Sequence, residues 1–211
     1  MTPGSPNRRL PSALRAIALG AAFAVIAAGC GIGSQSTTKP IATTASSGCP
    51  TKAPAALPAG ETRTVELKTS KGSISIKVEA DLGPLAAGNF VALASCGFYD
   101  GLVFHRAIPG FMIQGGDPKG SGSGGPGYEF ANDPVTVPYD RGVVAMANAG
   151  RDTNGSQFFI LIAPYDPPAA DYSVFGRVTS GIEVADAIAA AADGEYPSHP
   201  IAIDGVSVTK P

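Results

Sequence analysis

The chain has 211 residues, of which 44% are hydrophobic and 15% are charged, and its formal net charge is −2. This composition suits one folded domain with extensions and excludes a largely disordered chain. Arg8, Arg9 and Arg15 precede every acidic residue, so residue 30 onward carries 12 basic against 17 acidic residues, a net charge of −5. A mildly acidic body argues against a nucleic-acid partner, which would need a basic face.

Residues 1–29 are predicted to be an export signal of the lipoprotein type. Residues 16–28 form an apolar run, broken only by Gly20, after the three arginines. Such a run is shorter than the ~20 residues of a membrane span and has the length of a signal-peptide core. It ends in Ala27-Ala28-Gly29-Cys30, which resembles the lipobox of bacterial lipoproteins, where the cysteine takes a lipid. The prediction is a protein anchored through Cys30 to the outer face of the cell membrane. The alternative is an ordinary secretory signal with a chance cysteine.

Residues 30–60 are rich in Ser, Thr, Pro, Ala and Gly and show no hydrophobic period, which indicates a flexible tether. About 30 residues of such a chain reach roughly 30 Å.

Lipidation of Cys30 leaves Cys49 and Cys96 of the three cysteines. In an oxidising compartment these two would be able to pair and pin the tether to the domain. The alternative is two unrelated thiols.

Residues 61–211 are predicted to form the folded domain. Alternating apolar residues over Thr62–Glu79, with Ser70-Lys71-Gly72 between the two runs, indicate a β-hairpin. Helices are expected at Leu85–Ser95 and Ile182–Ala191. Further strands are predicted at Leu102–Ile108, Met112–Gly115, Val143–Ala147, Phe158–Ala163, Ser173–Val178 and Ile201–Thr209. Many short strands with two helices predict a mainly β fold, a closed β-barrel with the helices outside.

Three stretches suggest phosphate binding, metal binding or nucleophilic catalysis, but their residues do not have the spacing that these functions require. The glycine-rich stretch 119–130 lacks the Gly-Lys-Ser/Thr of a phosphate loop and is interpreted as a long loop on the barrel rim. His105 and His199 lack ligand spacing, so no metal site is expected. Residues 155–157 lack the second glycine of a nucleophile elbow, and no partner orients a Cys96–His105 pair, which argues against nucleophilic catalysis.

One arginine lies in a stretch that otherwise has the character of protein interior. Arg106 falls on a predicted strand, where alternation places it on the same face as Phe104 and Ile108. Further candidates are apolar residues and amides: Phe111, Met112, Phe159, Gln114, Asn148 and Gln157. This set has no obvious general base, so it predicts a site that grips an apolar ring and polarises a bond without covalent chemistry. Phe104, Phe158 and Phe175 are assigned to the core.

Four stretches resemble the cyclophilins, the cyclosporin-binding peptidyl-prolyl cis-trans isomerases. They are FHRAIPGFMIQGGD at 104–117, MANAG at 146–150, NGSQFFI at 154–160 and VFGRV at 174–178. The resemblance runs from about Val65 to Val208. It implies a closed antiparallel eight-stranded β-barrel capped by two α-helices, which agrees with the predicted elements. It also implies proline-containing polypeptides as substrates and no cofactor, and a monomer is expected.

The resemblance implies a role for each candidate residue. Arg106 is expected to donate a hydrogen bond to the prolyl nitrogen or the adjacent carbonyl, and Gln114 to orient the guanidinium. The implied substrate-binding residues are Phe111, Met112 and Phe159 around the proline ring, Asn148 through its main chain, Ala147 and Gln157 along the groove, and Gly122 at its edge. Tyr172 stands where the best-known members have a histidine, and it is assigned to substrate binding because it offers a ring wall and a hydroxyl. The tryptophan of those members is missing, so cyclosporin binding is expected to be weak.

The sequence thus predicts an exported prolyl isomerase that assists the folding of extracytoplasmic proteins. The alternative is a proline-peptide binding module or holdase with incidental turnover. A surface-adhesion protein that uses the barrel as a scaffold is a third class. The presence of Arg106, Gln114 and Phe111 argues against this third class, because a scaffold has no need of them.

Overall fold

The computed structural model describes residues 48–167 and 171–210, which form eight β-strands and two α-helices. In chain order these are β1 (Thr62–Thr69), β2 (Gly72–Glu79), α1 (Pro84–Ser95), β3 (Arg106–Ile108), β4 (Met112–Gly115), β5 (Val143–Met146), β6 (Phe158–Leu161), β7 (Val174–Ser180), α2 (Ile182–Ala190) and β8 (Ile203–Thr209). In these ranges neither helix is both long and apolar enough to cross a membrane. The predicted signal peptide, Cys30 and the tether up to residue 47 lie outside the described residues.

The eight strands form one antiparallel sheet in the order β3-β4-β6-β5-β7-β2-β1-β8. The first hairpin pairs in full register, from Thr62 opposite Glu79 to Thr69 opposite Gly72. The predicted mainly β fold with eight antiparallel strands and two helices is therefore confirmed.

The prediction of a closed barrel is wrong, because no ladder joins the edge strands β3 and β8. The sheet curls into a half-barrel whose edges are linked by one bridge between Val103 and Ala202. The predicted strand Leu102–Ile108 begins only at Arg106. Ahead of it the chain turns at Gly97 and Gly101, where φ is +76° and +78°. After these turns, three backbone hydrogen bonds join residues 101–104 to residues 201–203, and the pairing extends no further along β3 and β8.

The two faces of the sheet bury different residues. The core face packs against both helices, and its side chains from β4, β5 and β6 are Ile113, Val144, Met146, Phe158 and Ile160. The opposite face, which we call the groove face, forms a second, smaller cluster with Met112, Val143, Ala145, Phe159 and Leu161. Successive residues therefore alternate between the two clusters, as the period of a β-strand requires.

Phe104 and Arg106 do not share a face, contrary to the alternation expected between them. Phe104 is fully buried in the core beside Phe158, with 6.3 Å between ring centroids. Ala107 also faces the core, whereas Ile108 packs on the groove face. The expectation fails because residues 104 and 105 precede the strand, so its period does not reach them. The core assignments of Phe104, Phe158 and Phe175 are confirmed.

Residues 48–60, which we call the strap, lie against α1. Leu57 is buried in the core, and its N–H donates to the Pro84 carbonyl at 2.9 Å. The strap passes so close to Gly88 that a Cβ there would stand 2.2 Å from the Ala55 carbonyl oxygen. The tether predicted for residues 30–60 is therefore corrected at its end. Leu57 and the close approach allowed by Gly88 hold this segment against α1, although it has no hydrophobic period.

The structure contains a disulfide between Cys49 of the strap and Cys96 at the end of α1, with their Cα atoms 5.2 Å apart. It attaches the strap to the far end of the helix from Pro84. The strap is thus held at three points along α1, on the core side of the sheet.

Candidate active site

A pocket of about 290 Å³ opens on the groove face, and we call it the arginine pocket. It is lined by Arg106, Phe111, Met112, Gln114, Ala147, Asn148, Phe159, Tyr165 and Tyr172. Strands β3, β4 and β6 supply its floor, because the register sets Arg106 opposite Gln114 and Gln114 opposite Phe159. The pairing of three short strands therefore brings a cation, an amide and an aromatic ring side by side.

Polar side chains form a continuous chain of hydrogen bonds along one wall. Arg106 Nε donates to Glu195 Oε1 at 2.6 Å, and Arg106 Nη1 donates to Gln114 Oε1 at 3.5 Å. Gln114 Nε2 then donates to Gln157 Oε1 at 2.9 Å. Gln157 Nε2 in turn donates to the carbonyl of Gly122 at 2.9 Å. Arg106 Nη2 has no hydrogen-bond partner within residues 48–167 and 171–210.

A buried carboxylate holds the glycine-rich loop at the end of this chain. Asp117 accepts hydrogen bonds from the backbone N–H groups of Lys119, Ser121 and Gly122, at 2.7, 2.9 and 2.6 Å. The loop closes so tightly that a Cβ at Gly124 would lie 1.8 Å from Asp117 Oδ1. Burial raises the pKa of Asp117, but the backbone donors outweigh burial and hold the pKa below its ordinary value of 3.8.

Aromatic side chains form the opposite wall. The Phe111 and Tyr165 rings lie 4.9 Å apart, and the Phe159 and Tyr172 rings 5.5 Å apart, both edge to face. The Tyr139 hydroxyl donates to the Tyr172 carbonyl at 2.9 Å and accepts from the Tyr172 N–H at 3.0 Å. Burial raises the pKa of Tyr139, so its hydroxyl stays protonated and holds the backbone of Tyr172 in place.

A second pocket, of about 690 Å³, lies beside the first and is called the loop pocket. Gly122 and Gln157 line this pocket and not the arginine pocket, whereas Ala147 and Asn148 line both. The Asn148 side chain donates to the Asp171 carbonyl at 2.9 Å. Its main-chain N–H and carbonyl have no partner among the residues that the structure describes. The predicted substrate-binding residues are thus divided between two adjoining pockets.

His105 immediately precedes β3 and is 4% exposed, and its ring lies near the glycine-rich loop, where a Cβ at Gly122 would be 3.8 Å from Nε2. Neither ring nitrogen has a hydrogen-bond partner in the described part of the chain. Burial lowers the pKa of His105; nearby Asp117 opposes this effect and the charge of Arg106 adds to it. The imidazole is therefore neutral at physiological pH. The same ranges hold no group of three or more His, Cys, Asp or Glu side chains able to bind a metal ion.

Two residues of the site escaped the sequence analysis. Tyr165 lines the arginine pocket. Glu195 bonds Arg106 across a sequence separation of 89 residues. No local pattern marks Glu195, so only the tertiary structure reveals this contact.

Comparisons with known proteins match most of the domain to a single family. The family model described as cyclophilin type peptidyl-prolyl cis-trans isomerase/CLD matches residues 64–208. The chain is 51% identical over 117 residues to peptidyl-prolyl cis-trans isomerase B of Bacillus subtilis (strain 168), covering 52% of this chain and 80% of the relative. It is 41% identical over 170 residues to the probable peptidyl-prolyl cis-trans isomerase A of Mycobacterium leprae (strain TN), covering 69% and 92%.

Solved structures agree with the sequence matches. A cyclophilin type peptidyl-prolyl cis-trans isomerase of Cryptosporidium parvum superposes with a TM-score of 0.66 at 32% identity, covering 71% of this chain and 99% of that one. Its structure in the presence of the dipeptide Ala-Pro gives a TM-score of 0.65 at 33% identity, covering 70% and 99%. The protein is a peptidyl-prolyl cis-trans isomerase, an enzyme that accelerates rotation about X-Pro bonds. Within that class, the chain belongs to the cyclophilin-type family.

Proposed function

We propose that Arg106 accelerates isomerisation by donating a hydrogen bond to the X-Pro imide as it twists, while the arginine pocket holds the proline ring. The observation that carries this proposal is the lining of one pocket of about 290 Å³ by the guanidinium together with Phe111, Met112 and Phe159. The structure of a relative in the presence of Ala-Pro supports an X-Pro segment as the ligand.

The chemistry needs no nucleophile. Amide resonance opposes rotation with a barrier of ~18–20 kcal/mol, and an unaided X-Pro bond isomerises in roughly 10–100 s. To shorten the isomerisation time to milliseconds, the enzyme must lower the activation free energy by about 5–7 kcal/mol, because each tenfold gain in rate requires 1.36 kcal/mol. As the imide twists, resonance is lost and the lone pair localises on the nitrogen. A donor fixed beside it binds the twisted state better than either planar state, which lowers the barrier.

The groove offers the partners that an extended substrate needs. Arginine suits the central role because its charge does not titrate and its planar fork keeps its geometry. Gln114 limits the positions of that fork through the contact to Nη1. The main chain of Asn148, unpartnered among the described residues, pairs with the substrate backbone. Phe159 and Tyr172 close the far side of the ring.

We further propose that the enzyme acts outside the cytoplasm on unfolded or newly exported chains, held at the membrane by a lipid on Cys30. The disulfide between Cys49 and Cys96 supports this location, because such bonds persist in oxidising compartments. The docked strap places the last residues before the domain on α1, across the sheet from the groove, so anchoring leaves the groove open to clients.

The catalytic proposal is tested with a protease-coupled isomerisation assay on short X-Pro peptides. Removing one positioned donor is expected to lower kcat/KM by about 10²–10³-fold in Arg106→Ala, while the free energy of unfolding stays close to that of the wild type. Arg106→Lys keeps the charge but not the fork and should remain well below the wild-type rate. A wild-type rate in Arg106→Ala would overturn the mechanism. Folding assistance that survives in that variant would favour the holdase function.

The location is tested by fractionating cells that express the protein. We expect the wild type in the membrane fraction and Cys30→Ala in the soluble fraction. An identical distribution of the two proteins would contradict the lipid anchor. The catalytic proposal would be unaffected by that result, because purified protein is assayed separately.

A further inference from the structure

Glu195 lies between α2 and β8, in a segment that runs beside the edge strand β3. Its side chain accepts a hydrogen bond from Arg106 Nε at 2.6 Å. Its main-chain carbonyl accepts the N–H of Ala107, the next residue along β3, at 2.9 Å. Glu195 is therefore attached to β3 twice, through the backbone and through the carboxylate, at the residue that supplies the cation of the site.

We propose that Glu195 is a positioning residue for the isomerase reaction. It fixes the Nε end of the guanidinium so that the Nη groups face the imide in the arginine pocket. This inference rests on the proposed role of Arg106. Glu195 itself does not line that pocket, so it acts on the substrate only through the arginine.

The distances indicate which contact holds the arginine. A charge-assisted N–H···O⁻ bond is typically about 2.7–2.9 Å long and is roughly twice as strong as a neutral one. The contact to Glu195 is of this kind, whereas that to Gln114 is 3.5 Å long, at the outer limit for a hydrogen bond. Arg106 has several rotatable bonds, and ordering it costs side-chain entropy. The carboxylate is the stronger of the two restraints that offset this cost.

The ion pair is too exposed to be explained by stability. The side chains of Arg106 and Glu195 are 30% and 46% exposed, and exposed ion pairs contribute little to folding. A fixed direction of the donor matters much more, because a misplacement of about 1 Å at a reacting centre can cost ~10²-fold in rate. The ion pair therefore fixes the direction of the donor. Its loss should lower the isomerisation rate more than it lowers the free energy of unfolding.

The segment that carries Glu195 is itself braced. Asp193 accepts hydrogen bonds from both the N–H and the hydroxyl of Ser198, which closes the turn around Glu195. Farther along, the Phe104 N–H donates to the Ile201 carbonyl at 2.9 Å. The carboxylate is thus presented from a backbone fixed on both sides, as a positioning residue requires.

The test uses two substitutions in the purified full-length protein. Glu195→Ala removes the acceptor, and we expect kcat/KM to fall about tenfold, with the loss in kcat and KM nearly unchanged. Glu195→Gln keeps an oxygen that can accept from Nε and is expected to stay within about threefold of the wild type. The matched control is Asp186→Ala, which breaks an exposed Arg141–Asp186 pair with 2.5 Å between Nη2 and Oδ2. This control should leave kcat/KM unchanged.

A spectroscopic readout separates positioning from a general structural effect. The ¹⁵N–¹H signal of Arg106 Nε should be resolved and protected from exchange in the wild type and in Glu195→Gln, and lost in Glu195→Ala. The inference is overturned if Glu195→Ala keeps the wild-type rate, or if its rate falls while the Nε signal is unchanged. These results leave the proposed function standing, because that function fails only if Arg106→Ala itself keeps the wild-type rate.

Discussion

The two faces of one sheet differ in what they bury and in what they leave open. On the core face Phe158 is fully buried and touches the rings of Phe90 and Tyr99 at centroid distances of 5.1 and 5.5 Å. On the groove face its neighbour Phe159 lines an open pocket beside Arg106. Adjacent residues of one strand therefore face the packed core and the proposed proline pocket separately, because the strand period sends them to opposite sides.

The sharpest way to break this comparison is to truncate the two neighbouring phenylalanines. Phe158→Ala should lower the free energy of unfolding by about 3–5 kcal/mol, because it leaves a cavity in a packed core. Phe159→Ala should cost less stability, because the space left by this buried ring joins the arginine pocket, but should lower kcat/KM by about tenfold through loss of the ring wall. Denaturant titration and the isomerase assay measure both effects. Equal effects of the two variants on stability and on rate would refute the division of the faces.

The strap provides a second test on the core side. Replacing Cys49 and Cys96 together by serine reopens a loop whose ends are 47 residues apart, and we expect a loss of about 2–4 kcal/mol in the free energy of unfolding. The kcat/KM value should stay within about twofold, since the strap lies on α1. Reduction of the wild-type protein by a dithiol should reproduce the loss of stability. A large fall in activity without loss of stability would place the strap in the site.

Asp117 belongs to both regions, because it is buried and also holds the loop beside the groove. Asp117→Asn replaces one accepting oxygen with a donor that faces other donors, so the free energy of unfolding should fall by about 1.5–3 kcal/mol. The rate should fall several-fold as Gly122 releases Gln157. Asp81→Asn is the matched control, because Asp81 is exposed and accepts a single bond, from the Gly60 N–H at 2.8 Å. Parallel behaviour of the two variants would contradict the role of Asp117.

The pKa of Asp117 sets the sign of its pH dependence. A carboxyl whose folded pKa lies below the unfolded value stabilises the native state above that value, which is 3.8 here. Its contribution is lost as the pH falls from 3.8 through the folded pKa. The stability difference between the wild type and Asp117→Asn should therefore shrink below pH 3.8.

The smallest expected effect is the contribution of His105 to the pH dependence of the free energy of unfolding. Because its folded pKa is lowered, the unfolded chain takes up a proton first as the pH falls below 6.5. The free energy of unfolding should then decrease, by at most about 1.4 kcal/mol per pH unit. His105→Phe should flatten this slope between pH 6.5 and 5. An unchanged slope in His105→Phe would contradict the assignment.

Local periodicity explains how much of the fold was predictable. The hairpin follows from alternation along the chain, and both helices follow from their start and stop signals. The strand predicted at Phe158–Ala163 ends at Leu161 in the structure. The arginine pocket gathers the predicted Arg106, Gln114 and Phe111, because one motif carries all three on β3, on β4 and in the turn between these paired strands. Where the chain leaves regular structure the patterns fail, as at Phe104, which packs into the core instead of sharing a face with Arg106.

The sequence by itself determined the class of fold, the family and most of the residues that line the arginine pocket, since each depends on short-range alternation or on unbroken motifs. Only the tertiary structure decided that the sheet stays open between β3 and β8, that Leu57 docks the strap, and that Glu195 holds Arg106. These three features join residues far apart in the chain. No pattern within a few residues specifies such contacts, because they form only when separate elements pack against one another.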